Sequence, residues 1–194
     1  SDAERFSRDF MVAKCVTMAR TFRSHPSLAH YTLQNEISAL PYILEKAHAR
    51  GMEIWLNPSP MNENVLKCNL SLVSVFVLNE VEGEQLTGTK IPTAILDKLL
   101  QKYPHAAAVL TLGSKGAWYA KEDKRAFAPA ELVRAVDTTA AGDTFTGYFM
   151  RGMLDGLSPK KSLTLAAKAA AIAVSRPGAA PSIPLYAEVT SERN

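Results

Sequence analysis

Leu72-Val-Ser-Val-Phe-Val-Leu78, followed at once by Asn79-Glu80-Val81-Glu82, is the stretch on which the fold turns. All of it up to Leu78 is apolar except Ser74, and it is rich in β-branched and aromatic side chains. Such a run predicts a strand buried on both faces. The polar cluster after it marks the strand's carboxyl end. Ala107–Leu112 repeats the pattern and runs into Gly113-Ser114-Lys115-Gly116. Between the two runs, Ile95, Leu96, Leu99 and Leu100 recur at the helical period and predict a helix over 91–103. Continuously apolar strands separated by a helix belong to a parallel α/β sheet covered on both faces.

The same alternation extends in both directions. Upstream, Met52–Leu56 predicts a strand stopped by Asn57-Pro58-Ser59-Pro60, and residues 31–34 predict another. Between them Ser38 can cap a helix carrying Leu40, Ile43, Leu44 and Ala47, which Gly51 ends. Downstream, 116–121 and 125–127 can pair antiparallel, and helices are expected over about 141–155 and 160–175, the second capped by Ser158 with Pro159 in its first position. Trp55, Trp118 and Phe76 sit at core-like positions. Residues 1–30 read differently. Arg5, Arg8, Lys14, Arg20 and Arg23 lie among Phe10, Met11, Cys15, Met18 and Phe22, which predicts an amphipathic surface helix. Asp2, Glu4 and Asp9 argue against a mitochondrial leader. The expected organisation is therefore a helical extension over 1–30 and an α/β domain over 31–194.

Composition narrows the function classes. The chain has 194 residues, 47% hydrophobic and 21% charged, so it can bury a core. It contains no apolar run of about 18 residues, the length a membrane span needs. A net charge of +3 suits anionic ligands but is too weak to argue for nucleic acid. Cys15 and Cys68 form neither a disulfide framework nor a zinc site, and a reducing cytosol is the expected compartment. His25, His30, His48 and His105 have no ligand spacing.

Ligands of open α/β sheets bind beyond the carboxyl ends of the strands, which singles out Glu36, Asn57, Asn79 with Glu82, and Thr111 to Gly116. A further segment is Val136-Asp137-Thr138-Thr139-Ala140-Ala141-Gly142-Asp143, just before an apolar helix. Small residues there leave the helix's free N–H groups open to an anion. Asp143 at that helix start could take a proton from a hydroxyl while the amides hold a phosphoryl group. An ordinary capping Asp explains the segment equally well. Thr111–Gly116 offers glycines and hydroxyls to phosphate or ribose, or is a plain turn; it lacks the Walker spacing. Asn79 and Glu82 could orient water around magnesium, or simply form an acidic helix start.

Taken together and in this order, the motifs resemble the ribokinase-like sugar kinases, the PfkB family. Asp137-Thr-Thr-Ala-Ala-Gly-Asp-Thr-Phe145 is similar to that family's C-terminal signature, Thr111–Gly116 to its nucleotide loop, and Asn79-Glu-Val-Glu82 to its magnesium motif. Arg176-Pro-Gly-Ala-Ala-Pro-Ser182 resembles the loop near its monovalent-cation site. The resemblance covers about residues 31–189 and implies a three-layer α/β/α fold with a mostly parallel sheet. It implies transfer of the ATP γ-phosphoryl to a primary hydroxyl of a small sugar. Leu33-Gln-Asn-Glu36 and Asn57-Pro-Ser-Pro60 lean towards ribose, with another family sugar or a nucleoside as the alternative.

Residue by residue, the resemblance makes Asp143 the catalytic base and a ligand of the acceptor hydroxyl. The amides of Ala140, Ala141, Gly142 and Asp143 would form the anion hole. Asn79, Thr111, Leu112, Gly113, Ser114, Lys115 and Gly116 would contact ATP, with Gly142 and Asp143, and Lys168 occupies a nucleotide-contact position. Glu82 would act on Mg²⁺ through water, and Glu36 would bind the sugar. Asp137, Thr139, Ala173, Arg176, Gly178 and Ser182 would supply a K⁺ site. No glycine precedes Gly51, so the family's Gly-Gly substrate motif is not in this sequence. The N-terminal strands and the β-lid that go with it are expected to be missing as well. Impaired turnover, or nucleotide binding without turnover, follows as an expectation, with homodimerisation confined to a full-length protein.

Overall fold

The computed structural model describes residues 40–191. The helix expected in 1–30, the strand at 31–34, the Ser38 cap and Glu36 lie outside them. The described chain divides into two compact units, 40–110 with 120–123 and 111–119 with 124–191.

In the first unit, α1 (Leu40–His48) buries Leu40, Ile43 and Leu44, the stripe its period predicts. Gly51 closes the turn after it at φ 69°, the left-handed region that favours glycine. Of the strand expected over 52–56, only β1 (Trp55–Leu56) joins the sheet. The Ile54 amide donates to the Ser74 hydroxyl at 3.1 Å, and its carbonyl accepts from both Ser74 and Val75, so the regular ladder begins one residue later. A short helix, α2 (Glu63–Leu66), is capped by the Asn62 side chain. The pivotal apolar run then starts as a strand later than its hydropathy suggests. Asn69 caps a 3₁₀ turn over Leu70–Leu72, and β2 is Val75–Asn79. β1 and β2 are parallel, Trp55 opposite Val75 and Leu56 opposite Phe76.

Two helices, α3 (Glu80–Thr87) and α4 (Pro92–Lys102), separate β2 from β3 (Ala107–Thr111) and supply the crossover that parallel strands need. α4 buries Ile95, Leu96, Leu99 and Leu100, as the period predicts. The first four residues of β2 and of β3 are all buried, which is how a strand covered on both faces looks. Phe76 packs on Tyr103 with ring centroids 5.0 Å apart.

The five strands run in the sheet order β1-β2-β3-β4-β5. β4 (Ala117–Lys121) and β5 (Lys124–Ala128) are joined by the short turn Glu122-Asp123, so they form the expected antiparallel hairpin. The architecture is α/β. Trp55 and Trp118 are half-buried rather than core residues. Trp118 leans on Phe127, the ring centroids 4.9 Å apart and the planes tilted by 45°.

The helices of the second unit are α5 (Ala141–Leu154), α6 (Pro159–Val174) and α7 (Tyr186–Thr190). Ser158 caps α6 and Pro159 opens it. α5 and α6 approach so closely that a Cβ on Gly152 would lie 3.0 Å from the Ser162 Cα. Val189 of α7 packs against Ala169 and Ile172 of α6. Among the described residues no helix is long and apolar enough to cross a membrane.

Candidate functional site

The start of α5 is held in an uncommon geometry. Ala140, the residue before the helix, sits at φ 62° although it is not glycine, and it makes no side-chain cap. The Ala141 amide donates to the Thr138 carbonyl at 3.2 Å, and the Thr144 amide to the Ala140 carbonyl at 2.9 Å. The amides of Gly142 and Asp143 are left without a partner among the described residues. Thr146 fixes the turn from behind by donating its hydroxyl to the Gly142 carbonyl at 2.8 Å. A Cβ on Gly142 would meet nothing within 4 Å, so open space lies beside these amides. Two unpaired N–H groups at the positive end of a helix favour an anion. Asp143, in the same first turn, is exposed.

Asp137 sets this turn. Its Oδ1 accepts from the Thr139 amide and its Oδ2 from the Gly178 amide, both at 2.9 Å. The Val136 and Asp137 amides in turn donate to the Val174 carbonyl at the end of α6. Hydrogen bonds from the Thr139 side chain, then from the Thr139 and Gly178 amides, hold the Asp137 carboxyl below its usual range.

Next to this helix start lies a cavity of about 370 Å³, lined wholly by the second unit. Thr111, Gly113, Ser114 and Gly116 contribute from the end of β3 and the loop after it, and Ala141 and Gly142 from the start of α5. The loop closes on itself through the Leu112 amide and the Gly116 carbonyl, 2.8 Å apart. Gly116 has φ 116°, and a Cβ there would sit 2.2 Å from the Ala128 carbonyl oxygen. Only glycine lets the loop lie against the end of β5.

The other expected residues are distributed as follows. Leu112 is buried and Lys115 exposed, and neither lines the cavity. Lys168 does not line it either; its ammonium donates to the Ser191 carbonyl at 2.9 Å. Asn79 and Glu82, in the first unit, form a reciprocal capping box. The Asn79 side chain accepts from the Glu82 amide and Glu82 Oε2 accepts from the Asn79 amide, each at 2.9 Å. Glu82 is only 4% exposed, so the picture of a fully solvated acidic helix start does not apply to it. Of the residues expected at a K⁺ site, Asp137 bonds directly to Thr139 and Gly178. The Ala173 carbonyl accepts from the Arg176 amide, the Arg176 guanidinium turns to Glu188, and the Ser182 hydroxyl donates to Ala179. Among the described residues no group of three or more His, Cys, Asp or Glu could hold a metal ion.

Two cavity walls escaped the sequence reading. One is the segment 130–135, the other the α6 face of Ala167, Ala170, Ala171 and Val174. The helical spacing of those small residues is a signal, but it reads as close helix packing unless the cavity is seen.

Residues 37–185 match the pfkB family of carbohydrate kinases. A ribokinase of Schizosaccharomyces pombe is 37% identical over 173 residues, 84% of this chain and 53% of that protein. Among solved structures, the ribokinase of Thermotoga maritima superposes with a TM-score of 0.64 at 30% identity, over 77% of this chain and 52% of that one. Arabidopsis thaliana ribokinase complexed with ribose and ATP gives a TM-score of 0.67 at 27% identity, over 80% and 51%. The chain spans about half the length of the curated relatives it matches. An unpaired helix start with an exposed aspartate, a glycine-dependent loop and a cavity between them thus occur in a sequence that belongs to the pfkB family of carbohydrate kinases.

Proposed function

We propose that the protein to which these residues belong transfers the γ-phosphoryl group of ATP to the primary hydroxyl of a small sugar, ribose in the first instance. This chain would supply the nucleotide site, the anion hole and the base. One observation carries the reading: the cavity ends at a helix start where two amides are unpaired and Asp143 stands exposed in the same turn.

Phosphoryl transfer asks mainly for positioning and charge stabilisation. The Gly142 and Asp143 amides hold the transferring group, with Ala140 and Ala141 shaping the turn. The Asp143 carboxylate accepts the proton of the attacking hydroxyl, and Glu36 is the sugar contact that the family resemblance assigns. Thr111 to Gly116 hold the nucleotide. Magnesium, when bound, would neutralise charge on the phosphates. Glu82 fits a role through water, since its Oε2 is fixed by the Asn79 amide while no protein group in the described residues takes its Oε1. K⁺ beside Asp137 would reinforce the turn that this carboxylate already ties to Gly178. Cys68 is a buried thiol outside any disulfide, whose pKa burial raises to about 11.

The test is Asp143→Asn in the full-length protein. Loss of the base is expected to cut ribose phosphorylation by about 10²–10⁴-fold, with ATP binding by calorimetry close to wild type. A variant that keeps most of its turnover would remove Asp143 from the role.

A further inference from the structure

The turn before α5 is strained, and its shape has to be held from outside. A non-glycine residue at positive φ costs free energy and persists only where its surroundings fix it. Ala140 has no side-chain cap to do so. The Asp137 carboxylate fixes the turn from one side, and it does so by bonding to the Gly178 amide in the loop between α6 and α7.

That loop is secured at three points. Ser182, fully buried, closes it from inside, its amide and hydroxyl both donating to the Ala179 carbonyl. The Glu188 carboxylate bridges its two ends, accepting from the Arg176 guanidinium and, at 2.7 Å, from the Leu185 amide. The Tyr148 hydroxyl donates to the Pro184 carbonyl at 2.6 Å. Tyr148 stands on α5 itself, five residues beyond Asp143 and so about 7.5 Å along the helix. The body of α5 therefore bonds to the loop at Pro184, while the turn that opens α5 bonds to the same loop at Gly178. Ring and hydroxyl have separate tasks. The ring packs against Ala169, Ile172 and Val189 and stacks on Tyr186, centroids 6.4 Å apart. The hydroxyl makes the bond to the loop.

We infer that Tyr148 is a positioning residue for phosphoryl transfer: through Pro184 and Gly178 its hydroxyl keeps Asp137, and with it the unpaired Gly142 and Asp143 amides, in place. The role in transfer rests on the function proposed above. Tyr148→Phe in the full-length protein keeps the ring and removes the bond. Arg151→Gln is the comparison, since Arg151 meets α7 over the Tyr186 ring, 5.0 Å from its centroid, rather than at the loop. In Tyr148→Phe, hydrogen exchange at the Thr139 and Gly178 amides is expected to speed up more than at the buried middle of α6. Its kcat for ribose should fall, by up to about 10²-fold, the loss that a misplacement of about 1 Å brings. Arg151→Gln should change neither. Unchanged exchange at both amides would overturn the inference, because Tyr148 would then not hold the turn. Faster exchange with an unchanged kcat would overturn it too, because transfer would not depend on that hold. An equal loss of kcat in Arg151→Gln would trace the effect to a general loosening of α7 instead. If the wild-type protein phosphorylates no ribose, the proposed function fails and the role in transfer with it, whereas exchange at Thr139 and Gly178 still decides whether Tyr148 holds the turn.

Discussion

Asp137 ties two parts of the second unit together with a single side chain, and that makes it sensitive to acid. Its carboxylate accepts from the Thr139 and Gly178 amides, and these bonds exist in full only while it is ionised. The folded-state pKa lies below the ordinary value of 3.8. The stabilisation is therefore present above the unfolded pKa and is lost as the pH falls through the folded one. The melting temperature is expected to drop as the pH is taken below about 4. Asp137→Asn should lower it at neutral pH and flatten that slope. Some slope should survive in the variant, because the Arg176 hydrogen bond also lowers the pKa of Glu188. An unchanged pH profile in Asp137→Asn would show that the carboxylate does not act as this clasp. The Asn79–Glu82 pair is different: a helix start was legible there from the sequence, but the reciprocal capping bonds came from the structure.

At the scale of elements, the helices α5 and α6 cross in close contact. A Cβ on Gly152 would lie 2.8 Å from Ser162 Oγ and 3.0 Å from its Cα. The hydroxyl could rotate away, but the backbone atom could not. Gly152→Ala is expected to cost about 1–3 kcal/mol, as overpacking generally does, despite the better helix propensity of alanine. Ser162 Oγ is buried without a hydrogen-bond partner, and such a group costs about 1–3 kcal/mol. Ser162→Ala should therefore leave the protein as stable or more so. Thermal unfolding of both variants checks the pair; a stabilised Gly152→Ala would mean that the helices separate freely. The crossing matters to the candidate site because α5 opens with the unpaired Gly142 and Asp143 amides and α6 forms a wall of the cavity. Neither helix betrays this in its sequence beyond a run of small residues.

For the molecule as a whole, the described residues hold a cavity beside the unpaired start of α5, while the chain spans about half of the relatives it matches. Transfer also requires an acceptor hydroxyl fixed near Asp143 and water kept from the phosphoryl group. The isolated chain is expected to bind ATP by calorimetry and to give little or no ribose phosphate in a coupled assay. Brisk ribose turnover by this chain alone would show that it already contains the acceptor site. The sequence by itself determined the alternation of β2 and β3 with α4, the helices α5 and α6, the α6 cap and the family, because periodicity, caps and motifs act within a few residues of one another. Even there, the start of β2 shifted to Val75 because the Asn69 side chain capped a turn that hydropathy does not register. The family resemblance put Asp137 and Gly178 near one expected ion, and only the tertiary structure decided that they bond directly, 41 positions apart. It alone placed 130–135 and the α6 alanines in the cavity wall, and made Gly116 obligatory against the Ala128 carbonyl. Those contacts form when distant segments pack, and no local pattern of hydrophobicity encodes which segment will be opposite.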